Sequence, residues 1–227
     1  MRIDPAGLPF ILGAFLPGLV LFLIGYEILA LALIVLTMFF IFFFRDPNRE
    51  IPAEARNGDL VVSPADGRII HVGPVEENNG PSGQWQQISI FLSPLNVHVN
   101  RTPIGGRIVD VQYRAGRFLP AYRHEAATEN ERTEIRIDHH GQIVVCRQIV
   151  GLLARRVVCR LSKGMEVTTG DRLGVMKFGS RMDVFVPINS HLKVSVGQNV
   201  RGGESVIATL EPVAGRTTAQ SGGVNGG

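Results

Sequence analysis

Gly179-Ser180 is the only Gly-Ser step in this 227-residue chain, and the pair carries a latent reactivity. The Ser180 hydroxyl can attack the carbonyl before it through a five-membered ring, turning the peptide bond into an ester. Removal of the Ser180 α-proton then expels the ester by β-elimination. The dehydroalanine left behind tautomerises and hydrolyses to a pyruvoyl group and ammonia, and the chain is cut between residues 179 and 180. Glycine suits the strained backbone this attack requires, because it adopts conformations that a residue with a Cβ resists. The dipeptide alone is also an ordinary turn sequence, so the chemistry needs a base and a group to orient it.

Two upstream segments supply candidates. In Ser63-Pro64-Ala65-Asp66-Gly67 the Asp66 carboxylate precedes a glycine, a pattern that otherwise marks a plain turn. Between Phe91 and Arg101, in the run FLSPLNVHVNR, His98 sits between valines, where its ordinary role is a strand histidine satisfied by a backbone carbonyl. Together Asp66, His98 and Ser180 supply the acid, base and nucleophile of a triad: the carboxylate orients the imidazole, and the imidazole takes the hydroxyl proton. Spacing alone does not establish that they meet.

The elements that must hold these residues divide the chain in three. From Leu8 to Phe44 the sole acidic or basic side chain is Glu27, a run too long for a signal-peptide core and lacking a clear cleavage site. Gly25, Tyr26 and Glu27 interrupt it near the middle, so it reads as a membrane-associated helical hairpin within residues 1–50. Each half is near or below the roughly 17 to 25 residues of a usual span. Arg2 on one flank and Arg45 and Arg49 on the other place both ends in the cytoplasm by the positive-inside rule.

Residues 51–213 change to short alternating segments, at 60–62, 68–72, 87–92, 107–113, 131–138, 142–150, 157–161, 183–188, 192–196 and 205–210, bounded by Gly, Pro, Asn and Asp. Period-two spacing of this kind predicts an all-β catalytic domain, with Ser180 in a short connection between a strand ending at Val175 and one beginning near Asp183. The fold class is therefore mainly β. The stretches 61–72 and 184–207 also resemble the strand-turn repeats of lipoyl-like barrel-sandwich hybrids, although Lys193 lies inside a strand and not at a hairpin tip. Residues 214–227, rich in Gly, Ser, Thr and Gln, read as a flexible tail.

Composition narrows the partners. Of the 23 lysines and arginines only Lys163, Lys177 and Lys193 are lysine, and arginine suits bidentate contacts to phosphate as well as reflecting codon bias. Neither a nucleic-acid motif nor aromatics interleaved with a basic stripe is present, so no nucleic-acid partner is expected. Cys146 and Cys159 lie in apolar segments without metal-ligand spacing and read as reduced core residues; no metal site is expected.

With these motifs in view, the chain resembles the phosphatidylserine decarboxylases in their short form. The resemblance runs from the hydrophobic N-terminus to about Leu210. It is carried by Phe43-Phe44-Arg45-Asp46-Pro47, Ser63 to Gly67, Asn96 to Arg101, Asn130-Glu131-Arg132 and Phe178-Gly179-Ser180-Arg181. It implies self-cleavage after Gly179, conversion of Ser180 into the pyruvoyl cofactor, and assistance from Asp66 and His98. The products would be fragments 1–179 and 180–227, associated as a heterodimer.

The implied reaction removes CO2 from phosphatidylserine to leave phosphatidylethanolamine: the pyruvoyl carbonyl captures the headgroup amine and draws electrons from the bond to its carboxylate, without pyridoxal phosphate or metal. The implied partners are a phospholipid and the cell membrane, with the catalytic domain facing the cytoplasm. Longer relatives read Leu-Gly-Ser-Thr at the junction and carry a second histidine three residues before the one matching His98. Here those places hold Phe178, Arg181 and Leu95, which leaves the later proton donor to His98 or to His124. His124 lies in 115–128, where Arg117, Arg123, Phe118, Leu119 and Tyr122 form either a lipid-receiving surface or a solvated loop. Two alternatives share the sequence features: an archaetidylserine decarboxylase acting on an ether lipid, and a non-catalytic membrane-anchored hybrid-barrel adaptor.

Overall fold

The computed structural model describes residues 2–76, 79–123, 125–152, 157–177 and 180–212. The N-terminal elements are β1 (Arg2–Ile3), α1 (Leu8–Leu23), α2 (Glu27–Phe43), β2 (Arg45–Asp46) and α3 (Ala53–Asn57). There follow β3 (Leu60–Val62), β4 (Gly67–Pro74), β5 (Trp85–Leu92), β6 (Val99–Arg101), β7 (Gly106–Arg114), α4 (Ala126–Glu129), β8 (Arg132–His139) and β9 (Gln142–Val150). The remainder is β10 (Val157–Cys159), β11 (Glu166–Val167), β12 (Arg172–Met176), β13 (Ser180–Pro187), β14 (His191–Leu192), β15 (Asn199–Val200) and β16 (Val206–Thr209).

Helices α1 and α2 pack as a hairpin whose turn is made by Gly25 at φ +88°, a left-handed conformation that glycine adopts without a Cβ penalty. Small residues form the seam. Ala14, Gly18 and Ala30 are buried, and a Cβ on Gly18 would stand 3.1 Å from that of Leu33. Large apolar side chains such as Leu16, Leu23, Ile28, Leu31 and Val35 point outward and are exposed. By length and composition the segment Pro5–Leu23 can cross a membrane, while α2 is shorter at 17 residues.

The two ends of the hairpin meet at its root. β1 pairs with β2, Asp4 N–H donates to the Phe44 carbonyl at 2.9 Å, and the Asp4 carboxylate accepts from Arg160 at 2.6 and 2.8 Å. Phe43 and Phe44 are buried with Val97, Val99 and Val175, against Phe10, Phe40 and Val158. This second core joins the helices to the three-stranded sheet β10-β12-β6.

The main sheet has eight antiparallel strands in the order β11-β7-β8-β9-β13-β5-β4-β15 and curls into a half-barrel. Its inner face is the main core, with Ile88, Ile90, Leu92, Ile135, Val144, Cys146, Met182 and Val184. Both cysteines are free thiols, and burial pushes the Cys146 thiol well above its ordinary range. The opposite face carries charge under cover: Arg181 pairs with Asp183 and Glu76, each at 2.6 Å, and Arg147 with Glu134 at 2.7 Å.

The mainly β architecture matches the alternation, with one consequential difference. Ser180 is not in a connection: it is the first residue of β13, paired with Leu92 on one side and Val150 on the other. The polar run Ser180-Arg181-Met182-Asp183 hides a strand pattern because its outward residues are charged, and the ion pairs on the covered face make those charges tolerable inside. Strands β6, β11 and β15 also fall where no alternation signals a strand. The tail at 214–227 lies outside the described residues.

Candidate active site

Ser180 is fully buried. Strand pairing puts its side chain on the same face as Leu92, Met182 and Ile90, at the edge of the main core. Its Oγ has no hydrogen-bond partner among the described residues. An unpaired buried hydroxyl is costly, on the order of 1–3 kcal/mol, and in a native fold it calls for an explanation such as a reactive role. Phe178 and Gly179, the residues before it, lie outside the described residues.

His98 stands just ahead of β6, and its carbonyl accepts from Met176 N–H at 3.2 Å, across the ladder from the strand that leads to the junction. The imidazole is 1% exposed and stacks on Phe43. Burial, only partly offset by the bond to the Asn96 carbonyl and reinforced by the Arg45 charge, lowers its pKa to about 4. The ring is therefore neutral at pH 7. Nδ1 lies 3.0 Å from the Asn96 carbonyl and donates to it, which leaves the lone pair on Nε2. A neutral, desolvated imidazole of this kind is competent as a proton acceptor.

Asp66 is engaged elsewhere. Both its oxygens accept from Arg49 Nη2 at 2.8 Å, and Oδ1 also accepts from Gly202 N–H at 2.8 Å. Among the described residues no hydrogen bond joins Asp66 to His98. Arg45 lies within the electrostatic reach of both: the Asp66 charge favours its charged form, and its own charge disfavours that of His98. Gly67 is required beside Asp66, since a Cβ there would lie 2.3 Å from the Phe91 carbonyl oxygen.

Arg45 and Arg49, which the sequence places at a membrane boundary, thus do different work. Arg45 donates to the Phe42 and Leu95 carbonyls, whereas Arg49 is buried between Asp66 and Glu204. Asp46, between them, is buried against Arg101 and Arg172 and so ties β2 to β6 and β12. Periodicity carries no signal for these partners. The Arg45-Asp46-Pro47 motif was the only pointer to them.

A profile described as phosphatidylserine decarboxylase matches residues 36–208. The phosphatidylserine decarboxylase proenzyme of Geotalea daltonii is 44% identical over 203 residues, covering 88% of this chain and 93% of that protein. The chain belongs to the phosphatidylserine decarboxylase family. The proenzymes of Ehrlichia chaffeensis, 39% identical over 222 residues with 97% and 96% covered, and of Chlorobaculum parvum, 39% over 222 residues with 92% and 100% covered, agree.

For a decarboxylase of this family, the elements around Ser180 are held by one further side chain. Asn130 is fully buried; its Nδ2 donates to the Leu119 and Val150 carbonyls at 2.8 Å, and its Oδ1 accepts from Leu119 N–H at 2.9 Å. It therefore fixes the loop after Arg117 to the residue that pairs with Ser180. Arg117 forms an exposed ion pair with Glu129, and Tyr122 packs edge-on to Phe91 with centroids 6.2 Å apart. His124 lies outside the described residues.

Proposed function

We propose that this member of the family is a pyruvoyl-dependent decarboxylase that matures by cutting itself at Gly179-Ser180 and converts phosphatidylserine to phosphatidylethanolamine and CO2. The observation that carries the reading is the Ser180 hydroxyl, buried and without a partner among the described residues, at the head of a strand whose approach lies across a ladder from a neutral histidine. The word proenzyme in the names of the relatives agrees with it. Ser180 is the nucleophile, and His98 Nε2 receives its proton. Asp66 acts at a distance: its charge opposes that of Arg45, which otherwise weakens His98 as a base.

The residues fit the group they are to make, since a hydroxyl that will be consumed need not be tied into a structural hydrogen bond. The pyruvoyl group supplies a carbonyl for the substrate amine and an electron sink for decarboxylation. His98 Nε2 is the first candidate to return a proton to the product, with His124 in reserve. The cut leaves fragments 1–179 and 180–227 joined, because β13 lies between β5 and β9, and β15 and β16 pair with β4 and β3.

The exposed apolar flanks of α1 and α2 support residues 1–50 as a hairpin at the cell membrane; residues 51–213 follow as the catalytic domain, and Arg2, Arg45 and Arg49 at the hairpin's flanks are the ground for turning that domain toward the cytoplasm. Anchoring has a physical reason. Lifting a diacyl lipid from a bilayer costs about 0.8 kcal/mol per CH2, so the catalyst must meet the headgroup at the interface.

Intact mass and a denaturing gel test the proposal: two fragments are expected, the smaller with a blocked, carbonyl-bearing N-terminus, and Ser180→Ala abolishes both cutting and CO2 release. An active, continuous 227-residue chain would overturn it. Side-by-side turnover of ester and ether serine lipids identifies the preferred substrate.

A further inference from the structure

Among the described residues, five buried side-chain polar atoms lack a hydrogen-bond partner, and three of them belong together: Ser180 Oγ, Gln148 Oε1 and Asn100 Nδ2. All three residues are fully buried. Gln148 Nε2 donates to Asn100 Oδ1 at 2.9 Å, so the two amides form one unit. Gln148 pairs with Met182 and Val150 with Ser180, which makes Gln148 and Ser180 diagonal neighbours on one face of the β9-β13 ladder. A diagonal pair is within reach of a side chain as long as glutamine.

The bond between the amides leaves one donor nitrogen and one acceptor oxygen with no partner among the described residues. Exchanging O and N in both amides moves each to the other residue but leaves the same set. One donor and one acceptor complement a hydroxyl that must first be aimed and then carry negative charge. Resting on the self-cleaving reading above, we propose that Asn100 and Gln148 form an amide clamp for Ser180 Oγ. The acceptor aims its O–H before attack, and the donor offsets charge on the oxygen as the proton leaves.

The step balances without another reactant. Ser180 Oγ gives its proton to His98 Nε2 and uses an electron pair to bond the carbonyl carbon of Gly179. The C–N bond to Ser180 breaks, and the departing nitrogen takes the proton back from His98. A peptide becomes an ester plus an amine, with the base restored. The bond between the two amides leaves these atoms unspent, and a rotamer change of Ser180 or Gln148 across the diagonal engages them as the reaction begins.

The test follows cutting of newly made full-length chain in lipid vesicles by denaturing gel, with Gln148→Met and Asn100→Leu compared with wild type. Stability is read separately by introducing each change into Ser180→Ala, which cannot be cut. Each variant is expected to slow cutting by roughly ten- to a hundredfold; each single change strands the other buried amide and lowers the melting temperature, whereas the double variant Gln148→Met with Asn100→Leu removes both and should keep the melting temperature while cutting stays slow. Gln148→Glu adds a readout that a packing role would not move: its carboxyl offers donor and acceptor only when protonated, so cutting should quicken from pH 8 to 5.5 while wild type stays level. Wild-type rates in either apolar variant, slow cutting in the double variant that tracks a loss of melting temperature, or a flat pH response in Gln148→Glu would overturn the clamp. A wild-type chain that never cuts would overturn the self-cleaving reading beneath it, a result distinguishable because it needs no variant.

Discussion

Phe43, the last residue of α2, stacks on the imidazole of His98 with ring centroids 4.1 Å apart and planes at 29°. The hairpin is therefore more than a tether. Its root forms one wall around the candidate base, and Lys177, at the approach to the cutting site, lies over Phe10 of α1 at 4.8 Å. The apolar helices and the strands on either side of His98 share one small core.

Truncating that wall should be felt in both stability and chemistry. Phe43→Ala opens a cavity in the second core and admits water to His98, with an expected loss of about 3–5 kcal/mol. Thermal unfolding in micelles checks the first effect. NMR titration checks the second, with the His98 pKa expected to rise from about 4 toward the 6.5 of an exposed histidine.

Acid should act on folding before it acts on cutting. Because the folded pKa of His98, about 4, lies below its unfolded value of 6.5, the unfolded chain takes up this proton first as pH falls. Stability should decline between about pH 6.5 and 4 by an amount on the order of 3 kcal/mol from this group, and no further from it below that. The cutting rate should hold level from pH 8 to about 5 and drop as Nε2 becomes protonated near 4. A rate that halves near pH 6.5 would mean the base is a different or a hydrated group.

Asp46 compensates two cations at the hairpin root, Arg101 and Arg172. Asp46→Ala leaves Arg101 buried and short of its partner, which should cost about 3–5 kcal/mol and loosen β6 next to His98. Melting temperature and cutting rate should fall together. The double variant Asp46→Ala with Arg101→Met should recover part of the stability, since it removes the stranded charge as well.

Legibility in the sequence followed the range of the interaction. The hairpin was readable because a membrane-compatible helix needs only its own apolar residues, and Gly25 marks the turn. Most strands of the half-barrel were readable because one face of each packs on the core. β13 was misread at its start, where Ser180 and Arg181 look like loop residues until Asp183, Glu76 and Ser89 take up the Arg181 guanidinium.

By itself the sequence determined which atoms are able to react: a Gly-Ser step, a histidine between valines and an acid before a glycine, together with an apolar segment long enough to meet lipid. Only the tertiary structure decided how they stand. It gave Asp66 to Arg49, left Ser180 Oγ without a partner among the described residues, and set a phenyl ring from the hairpin against His98. The reason is that reactivity belongs to a side chain and its immediate neighbours, whereas burial, pairing and proton affinity are set by residues tens of positions away that chain order does not bring together.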